Sequence, residues 1–352
     1  MTPRRVVILF VAGFLVIVLA VWLSSQRHLE RATAAGDLVL PGLEKSINTI
    51  TEVKLSKGDD TKTTLQKGAT GWTVGERGYA ADSGKVRKLL LDLASLNVVE
   101  EKTRTPANYP QLGVEDVNSP KATGTRIDTV TPGKTYSLIV GKSSSAKSGY
   151  VRVADAPQSL LAAPALTLDA DPRRWLDKSF LDVPQDRIKE FTIKPADGPG
   201  YTASRPNKEQ TDFAVADIPK GRELANPTAA DPIAGSLAGL QLDDAQHAPA
   251  QPVDAKTLSH ATFKTFDGQQ FDVSGRKDGT RTLIAVTASA ADQNAPLQGW
   301  EFEIPAYKFD AIFRPLEDLL KKLPEKPQPK KAAAKSGPAA APAISPAPAA
   351  AK

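Results

Sequence analysis

Eighteen consecutive residues near the start of the chain, residues 6–23, carry no charged side chain. An α-helix rises about 1.5 Å per residue, so this segment would reach about 27 Å, close to the ~30 Å hydrocarbon core of a bilayer. The sequence that follows has an ordinary soluble composition. We therefore predict one transmembrane helix over residues 6–23 that anchors a large domain outside the bilayer.

A cleaved signal peptide is the alternative for this segment. Signal peptides have an apolar stretch of about 7–15 residues with a small-residue cleavage site close behind it. The A-x-A tripeptide at residues 32–34 has the right form but lies well past the end of the apolar run. The length of the run favours an uncleaved anchor, and residues 1–31 are then the N-terminal stub and anchor together.

Arginine residues flank the apolar segment on both sides, with Arg4 and Arg5 before it and Arg27 and Arg31 after it. The positive-inside bias is therefore slight. Insertion is simplest when the short N-terminal stub stays inside and the long C-terminal part is exported. We expect a single-pass protein of a bacterial inner membrane, with the bulk of the chain in the periplasm.

The net charge of +5 is concentrated at the two ends of the chain. Residues 1–31 carry +3 and residues 324–352 carry +4, which leaves −2 for residues 32–323. This middle part lacks the basic surface of a nucleic-acid-binding domain, so we expect no nucleic acid partner. The tail 324–352 is rich in Ala, Pro and Lys and offers little to bury, which predicts disorder.

The chain contains no cysteine and three histidines. Thiol catalysis and cysteine-based metal sites are therefore excluded. The three histidines provide almost no ligands for a zinc site built from several histidines. His28 follows the anchor, and we expect His247 and His260 to lie in strands or on the surface. We assign no metal, cofactor-binding or catalytic residue.

The same order of predicted strands occurs twice between the anchor and the tail. The predicted pairs of strands are 51–55 with 191–194, 71–74 with 212–215, 135–140 with 270–273, and 149–153 with 299–304. Leu55 then corresponds to Ile193, Trp72 to Phe213 and Tyr150 to Trp300. Chance agreement within one α+β chain is the alternative. We predict two tandem repeats, residues 38–183 and 184–323, each of mostly antiparallel sheet backed by helices, an α+β fold.

An amphipathic helix is predicted in each half. In the first half Asp82 or Ser83 caps a helix whose apolar stripe is Val86, Leu89, Leu90 and Leu93. In the second half Asp231 caps, Pro232 is the first helical residue, and the stripe is Ile233, Leu237 and Leu240. Proline-bounded helical segments are also predicted after residues 153 and 304. Pro315 should kink or split the last of them.

Two short motifs resemble catalytic signatures but lack the context that those signatures require. Gly141-Lys142-Ser143 has the ending of a phosphate-binding loop, but the first glycine of that loop would fall at Tyr136. Ser144-Ser145-Ala146-Lys147 matches S-x-x-K, without the S-D-N and K-T-G partner motifs. We interpret both as parts of a strand and the turn after it.

Three carboxylates, Asp169, Asp171 and Asp177, lie close to Trp175. A general acid–base pair is conceivable there. The simpler interpretation is a capped turn in which Asp171 and Pro172 open a short helix and Trp175 anchors it between the two halves. Likewise, Trp72, Trp175 and Trp300 are expected in the core and not in a ligand-stacking platform.

An ordered set of sequence blocks resembles the bacterial domain of unknown function 4340 over residues 38 to 320. The blocks are LPGL at 40–43, YPQLGVED at 109–116, GYVRV at 149–153, DPRRWLD at 171–177 and FAVADIPKGREL at 213–224. The resemblance implies an anchored envelope protein, often encoded beside an ABC transporter of the gliding-motility type. It implies no catalytic residue.

Taken together, these features predict a non-catalytic membrane-anchored periplasmic protein. We expect an accessory or scaffolding subunit of an envelope ABC transport system, with the membrane and a transporter permease or an associated envelope subunit as partners. The alternative is a module that binds an envelope polymer such as glycan or peptidoglycan. A hydrolase is a third hypothesis, but no nucleophile–base pair is visible in the sequence.

Overall fold

The computed structural model describes residues 35–118 and 120–321. The predicted anchor at residues 6–23 and the predicted tail at residues 324–352 lie outside the described residues. Within them, no helix combines the length and the apolar character needed to cross a bilayer.

The first part of the chain folds into a nine-stranded sheet in which every neighbouring pair is antiparallel. The strand order is β4-β3-β2-β1-β6-β7-β8-β9-β5. The strands are β1 Glu52–Ser56, β2 Lys62–Gly68, β3 Gly71–Val74, β4 Tyr79–Ala80, β5 Asn97–Glu101, β6 Thr125–Thr131, β7 Lys134–Ser143, β8 Gly149–Val153 and β9 Ser159–Ala163. Buried and partly buried residues alternate strictly along β6, as expected for a sheet with one face on a core.

The second part folds into an eight-stranded antiparallel sheet and a separate two-stranded pair. The strands are β10 Ser179–Leu181, β11 Ile188–Lys194, β12 Tyr201–Ser204, β13 Ala214–Val215, β14 Leu240–Gln241, β15 Asp244–His247, β16 Ser259–Thr265, β17 Gln270–Asp278, β18 Arg281–Ala288 and β19 Trp300–Glu303. The order in the large sheet is β13-β12-β11-β16-β17-β18-β19-β15, and β10 pairs with β14.

Helices are few and short in the described part of the chain. They are α1 Leu43–Ser46, α2 Ser83–Ala94, α3 Tyr109–Leu112, α4 Asp231–Ala234, α5 Ala291–Asn294 and α6 Ala306–Ile312. The α2 prediction is confirmed, because the Asp82 carboxylate accepts a hydrogen bond from the Lys85 backbone N–H at 3.0 Å and the predicted stripe is buried. The fold is therefore mixed, mostly antiparallel sheet with few helices, as predicted at that level.

The predicted second-half helix is wrong in length and in its cap. Helix α4 has four residues, and Asp231 is its first residue, not its cap. The Asp231 carboxylate instead accepts a hydrogen bond from the Phe213 backbone N–H at 2.9 Å. Gly235 follows the helix directly and Gly239 has a left-handed φ of 53°, and both residues disfavour helix continuation. Leu240 consequently lies in β14.

The two large sheets share one strand order. From β3 to β5 the order in the first sheet is β3-β2-β1-β6-β7-β8-β9-β5. From β13 to β15 the order in the second sheet is β13-β12-β11-β16-β17-β18-β19-β15, so the strands correspond one to one. Leu55 lies opposite Thr63 in β2, and Ile193 lies opposite Tyr201 in β12, so the predicted pair holds matching places. The domain boundaries at residues 38–183 and 184–323 stay a prediction.

The predicted equivalence of Tyr150 with Trp300 is wrong. Tyr150 lies in β8, whose place in the order is that of β18, whereas Trp300 lies in β19. The error arises in the proline-bounded segment after residue 153, which was predicted to be helical and instead contains β9. Leucine and alanine favour helix locally, but β9 is paired with strands on both sides, and this tertiary pairing prevails.

The end of the described chain follows the prediction. Helix α6 ends at Ile312, and Pro315 precedes a 3-10 helix over Leu316–Leu319, so the proline splits the predicted helical stretch. Phe309, Ile312, Phe313, Leu316 and Leu319 are buried. Their side chains belong to one hydrophobic core that includes residues of both sheets.

Candidate functional site

The two sheets meet at a seam formed by the β3–β4 hairpin of the first sheet and strands β15 and β19 of the second. The connecting chain lies between them and pairs with both. Leu176 forms a bridge with Ala81, and the Asp177 N–H donates to the Ala80 carbonyl at 2.9 Å. The carbonyl of the following residue, Lys178, accepts a hydrogen bond at 3.0 Å from the N–H of Leu242, which belongs to the second part of the chain.

Aromatic rings fill the buried side of the seam. Tyr79 makes edge contacts with Trp300 and Phe302, at centroid distances of 4.9 and 5.8 Å. Phe180 stacks on Phe302 at 4.2 Å. Burial, with a smaller contribution from the Asp177 charge, raises the pKa of Tyr79 to about 12. These rings hold the two sheets together through their apolar area.

A charged cleft of about 640 Å³ opens on the other side of the same seam. Its charged lining residues are Glu76, Arg77, Arg173, Asp244, Arg281 and Glu303. They come from the β3–β4 turn, from the connecting chain and from the β15–β19 region, so the cleft exists only where the two sheets meet. Equal numbers of acidic and basic groups line it.

One ion pair crosses the cleft from sheet to sheet. Arg77 donates two hydrogen bonds to Asp244, from Nε to Oδ1 at 2.7 Å and from Nη2 to Oδ2 at 2.9 Å. The hydrogen bond with Asp244 raises the pKa of Arg77. A two-bond arginine–carboxylate pair fixes orientation as well as distance.

Two further arginine–carboxylate pairs line the second sheet. Arg281 Nε lies 2.6 Å from Glu303 Oε2, and Arg276 donates two hydrogen bonds to Glu301 at 3.0 and 2.9 Å. Gln246 connects the pairs, since it accepts from Arg281 at 2.8 Å and donates to Glu301 at 2.9 Å. Burial alone would raise the pKa of Glu301, but the hydrogen bonds from Arg276 and Gln246 outweigh it and lower that pKa.

The two histidines in the described residues lie in strands with exposed side chains, as expected. His247 in β15 stacks on Trp300 at a centroid distance of 4.2 Å, and His260 lies in β16. Among the described residues, no three His, Asp or Glu side chains are placed to hold a metal ion.

The predicted carboxylate cluster forms turns. Asp171 caps the 3-10 helix Pro172–Arg174 and accepts from the Arg173 N–H at 3.0 Å, and hydrogen bonds from Arg173 lower the pKa of Asp171. Asp169 accepts from the Asp171 N–H at 2.9 Å, and Asp177 accepts from the Ser179 N–H at 3.3 Å. The buried Trp175 donates from its indole N–H to the Asp169 carbonyl at 2.7 Å. The capped-turn interpretation is confirmed.

The other two tryptophans are only partly buried. Trp72 and Trp300 pack against the core, and Trp300 also stacks on His247. The prediction of core packing therefore holds fully for Trp175 and in part for the other two.

The Gly-Lys-Ser and S-x-x-K motifs lie at the end of β7 and in the turn before β8, as predicted. Lys142 Nζ donates to the carbonyls of Pro110 and Gln111 at 3.2 and 3.1 Å. Ser145 Oγ lies 2.9 Å from Ser148 Oγ within the turn. A Cβ at Gly141 would collide with the Leu112 carbonyl, so this glycine permits close packing of α3 on the sheet. Both motifs thus have structural partners.

No local signal in the sequence indicated the cleft. Arg77 and Asp244 come from opposite halves of the chain, and neither belongs to a motif. Only the docking of the two sheets brings them together.

A family model described as "Domain of unknown function (DUF4340)" matches residues 72–265, more than half of the chain. The matched range runs from β3 to β16, so it includes the β3–β4 hairpin and β15 of the seam but not β19. No curated protein and no solved structure matches the chain.

Proposed function

The chain belongs to the DUF4340 family of domains of unknown function, and from that premise we propose that it is a non-catalytic, membrane-anchored periplasmic protein. Its role is that of an accessory or scaffolding subunit of an envelope ABC transport system. The resemblance to anchored envelope proteins encoded beside such transporters supports the transport role. The apolar segment at residues 6–23 supports the anchor.

The pairing of charges at the seam is the observation that carries the non-catalytic part of the proposal. Asp171, Asp244, Glu301 and Glu303 each accept a hydrogen bond from an arginine guanidinium. A general base needs a free lone pair and a pKa near the working pH. Carboxylates whose oxygens accept hydrogen bonds from arginine have fewer lone pairs free for proton transfer, which suits a rigid connection between two sheets.

We further propose that residues 38–183 and 184–323 are two copies of one structural unit. The common strand order of the two large sheets supports this. Two units locked by a shared core and a two-bond ion pair would form one stiff body that presents a broad surface, which is what a scaffold requires.

Crosslinking in intact cells tests the transport role. The full-length chain with an affinity tag is crosslinked, purified and analysed by mass spectrometry. We expect enrichment of ABC permease subunits. A control chain keeps residues 1–31 but carries an unrelated periplasmic domain. Equal recovery of permease subunits with this control, or none with either chain, would contradict the proposal.

The cleft itself favours a second candidate function, binding of an envelope glycan. Arg281, Gln246 and Glu303 offer planar donors and acceptors, and the exposed residue His247 also lines the cleft. Planar polar groups of this kind are able to bind sugar hydroxyls. We expect Arg281→Ala to reduce retention of the protein on isolated cell wall, whereas Lys88→Ala, on α2 and not among the residues that line the cleft, should not.

A further inference from the structure

Each large sheet ends in the same kind of connection. After the first sheet, Leu176 forms a bridge with Ala81, and Asp177 N–H donates to the Ala80 carbonyl at 2.9 Å. After the second sheet, Leu320 forms a bridge with Leu224, and the Lys321 N–H donates to the Glu223 carbonyl, also at 2.9 Å. We call residues 76–81 the exit edge of the first sheet and residues 219–224 the exit edge of the second.

Each large sheet also begins in the same way. The Val98 N–H donates to the Asp37 carbonyl at 2.8 Å, and the Leu242 N–H donates to the Lys178 carbonyl at 3.0 Å. We call β5 the entry edge of the first sheet and β15 the entry edge of the second. Each edge includes the earlier segment of chain that hydrogen-bonds beside it, at Asp37 or Lys178. At the seam, the exit edge of the first sheet faces the entry edge of the second. This contact joins two different surfaces. When a contact between two different surfaces forms between separate copies of a protein, it repeats head to tail.

The opposite ends of the protein carry the other exit edge and the other entry edge. Lys220 holds the place of Arg77, because each lies four residues before the bridging residue and directly before a glycine with positive φ, 68° at Gly78 and 80° at Gly221. Lys220 and Gly221 are exposed.

Glu100 holds the place of Asp244 on the first entry edge. Glu100 lies opposite Leu161 in β9, and Asp244 lies opposite Glu303 in β19. Leu160 and Phe302 directly precede these two partners. Leu160 pairs with β8 and Phe302 pairs with β18, at positions that are equivalent in the two sheets. The two ends of the protein therefore repeat the cation and the anion of the seam, in the same order.

Both groups are accessible for a partner. The Glu100 side chain is 58% exposed, and its ion pair is with Lys102 in the chain that continues β5. Lys220 makes no ion pair within residues 35–118 and 120–321. Val99, next to Glu100, is an exposed large apolar side chain on the same edge.

We propose that this chain associates head to tail with a second copy of itself. The exit edge at residues 219–224 of one copy docks on the entry edge around β5 of the next, and Lys220 pairs with Glu100 as Arg77 pairs with Asp244. The aromatic cluster of the seam is not repeated, since Arg222 stands in the place of Tyr79 and Gln158 in that of Trp300. The contact therefore depends on charge, and it weakens as ionic strength rises.

Crosslinking of single-cysteine variants tests this contact, because the native chain has no cysteine. Full-length Pro219→Cys and Val99→Cys proteins keep Lys220 and Glu100, and both replaced residues are exposed. They are mixed at low salt and treated with a short bis-maleimide, which spans Cβ atoms further apart than a disulfide does. We expect the mixed dimer at least fivefold above that from Pro219→Cys mixed with Asp278→Cys, a variant at an exposed turn of the second sheet. High salt should abolish the excess.

Two further variants make the outcome decisive. Glu76→Cys/Asp243→Cys, beside the intact Arg77–Asp244 pair, should crosslink within one chain and shows that the reagent spans this geometry. Lys220→Glu should remove self-association in sedimentation experiments, and mixing it with Glu100→Lys should restore it. Crosslinking no higher than in the Asp278→Cys mixture, or no restoration by the exchanged charges, overturns the proposal. Recovery of permease subunits would be unaffected, so this result stays separate from the proposed transport role.

Discussion

Arg77 and Asp244, 167 residues apart in the sequence, join the two large sheets through a two-bond ion pair. The Asp244 side chain is only 14% exposed and that of Arg77 is 30% exposed. Partial burial strengthens the attraction and also makes each charge costly to leave alone. The pair therefore holds the two sheets together, and loss of either partner would destabilise the seam.

Removal of either partner should destabilise the protein. We expect Asp244→Ala and Arg77→Ala each to lower the free energy of unfolding by about 1–2 kcal/mol, and a double-mutant cycle to give a coupling of about 1 kcal/mol. Urea denaturation followed by circular dichroism measures both. Lys88→Ala, which breaks the exposed Lys88–Asp92 pair, should change stability by less than about 0.5 kcal/mol. Equal effects at the two sites would contradict a locking role.

The aromatic cluster should contribute more than the ion pair. Phe302 is fully buried and contacts both Tyr79 and Phe180. We expect Phe302→Ala to lower the free energy of unfolding by about 3–5 kcal/mol, because it leaves a cavity between the sheets. Tyr307→Ala, at a residue 71% exposed, is the matched control and should stay within about 0.5 kcal/mol of the wild type.

Alkaline pH should weaken the fold through Tyr79. Its pKa in the folded protein is about 12, against an ordinary value of 10.0. Because the folded state favours the protonated phenol, this stabilisation is complete below pH 10 and is lost as the pH rises toward 12. We expect Tyr79→Phe to reduce the loss of stability over that interval by up to about 2 kcal/mol. An unchanged slope between pH 10 and pH 12 would show that Tyr79 titrates normally.

The topology predicted from the apolar segment is testable with single cysteines. Ser144→Cys lies in an exposed turn and Ser204→Cys at the end of β12. Both should react with a membrane-impermeant maleimide once the outer membrane is permeabilised. Ser236→Cys, at a buried position, should react only after denaturation. Labelling of the first two only after the inner membrane is broken would place the domain in the cytoplasm.

Single alanine substitutions distinguish a scaffold from an enzyme. Asp169, Asp171, Asp177, Ser144 and Lys147 hydrogen-bond within turns or lie on exposed loops, so their replacement by alanine should leave complementation of a deletion strain largely intact. Loss of a catalytic acid or nucleophile commonly lowers a rate by orders of magnitude. One stably expressed variant of this set with a null phenotype would overturn the non-catalytic proposal.

The sequence by itself determined the elements that depend on local periodicity and stereochemistry. The stripe and cap of α2, the strands β3 and β8, the split at Pro315 and the turn at Asp171 all follow from residues within a few positions of one another. The same local information favoured helix in the proline-bounded segment after residue 153 and made α4 too long, because a local pattern does not show which strand will pair with a segment.

Only the tertiary structure decided which strands are neighbours and what meets at the seam. Strand β5 follows a helix in sequence yet pairs with β9, about sixty residues later, because pairing satisfies its backbone groups and buries Val98. Arg77, Asp244 and the rings of Tyr79 and Phe302 converge for the same reason. Their positions follow from how two sheets dock, and docking depends on contacts between residues far apart in the chain, which no local pattern encodes.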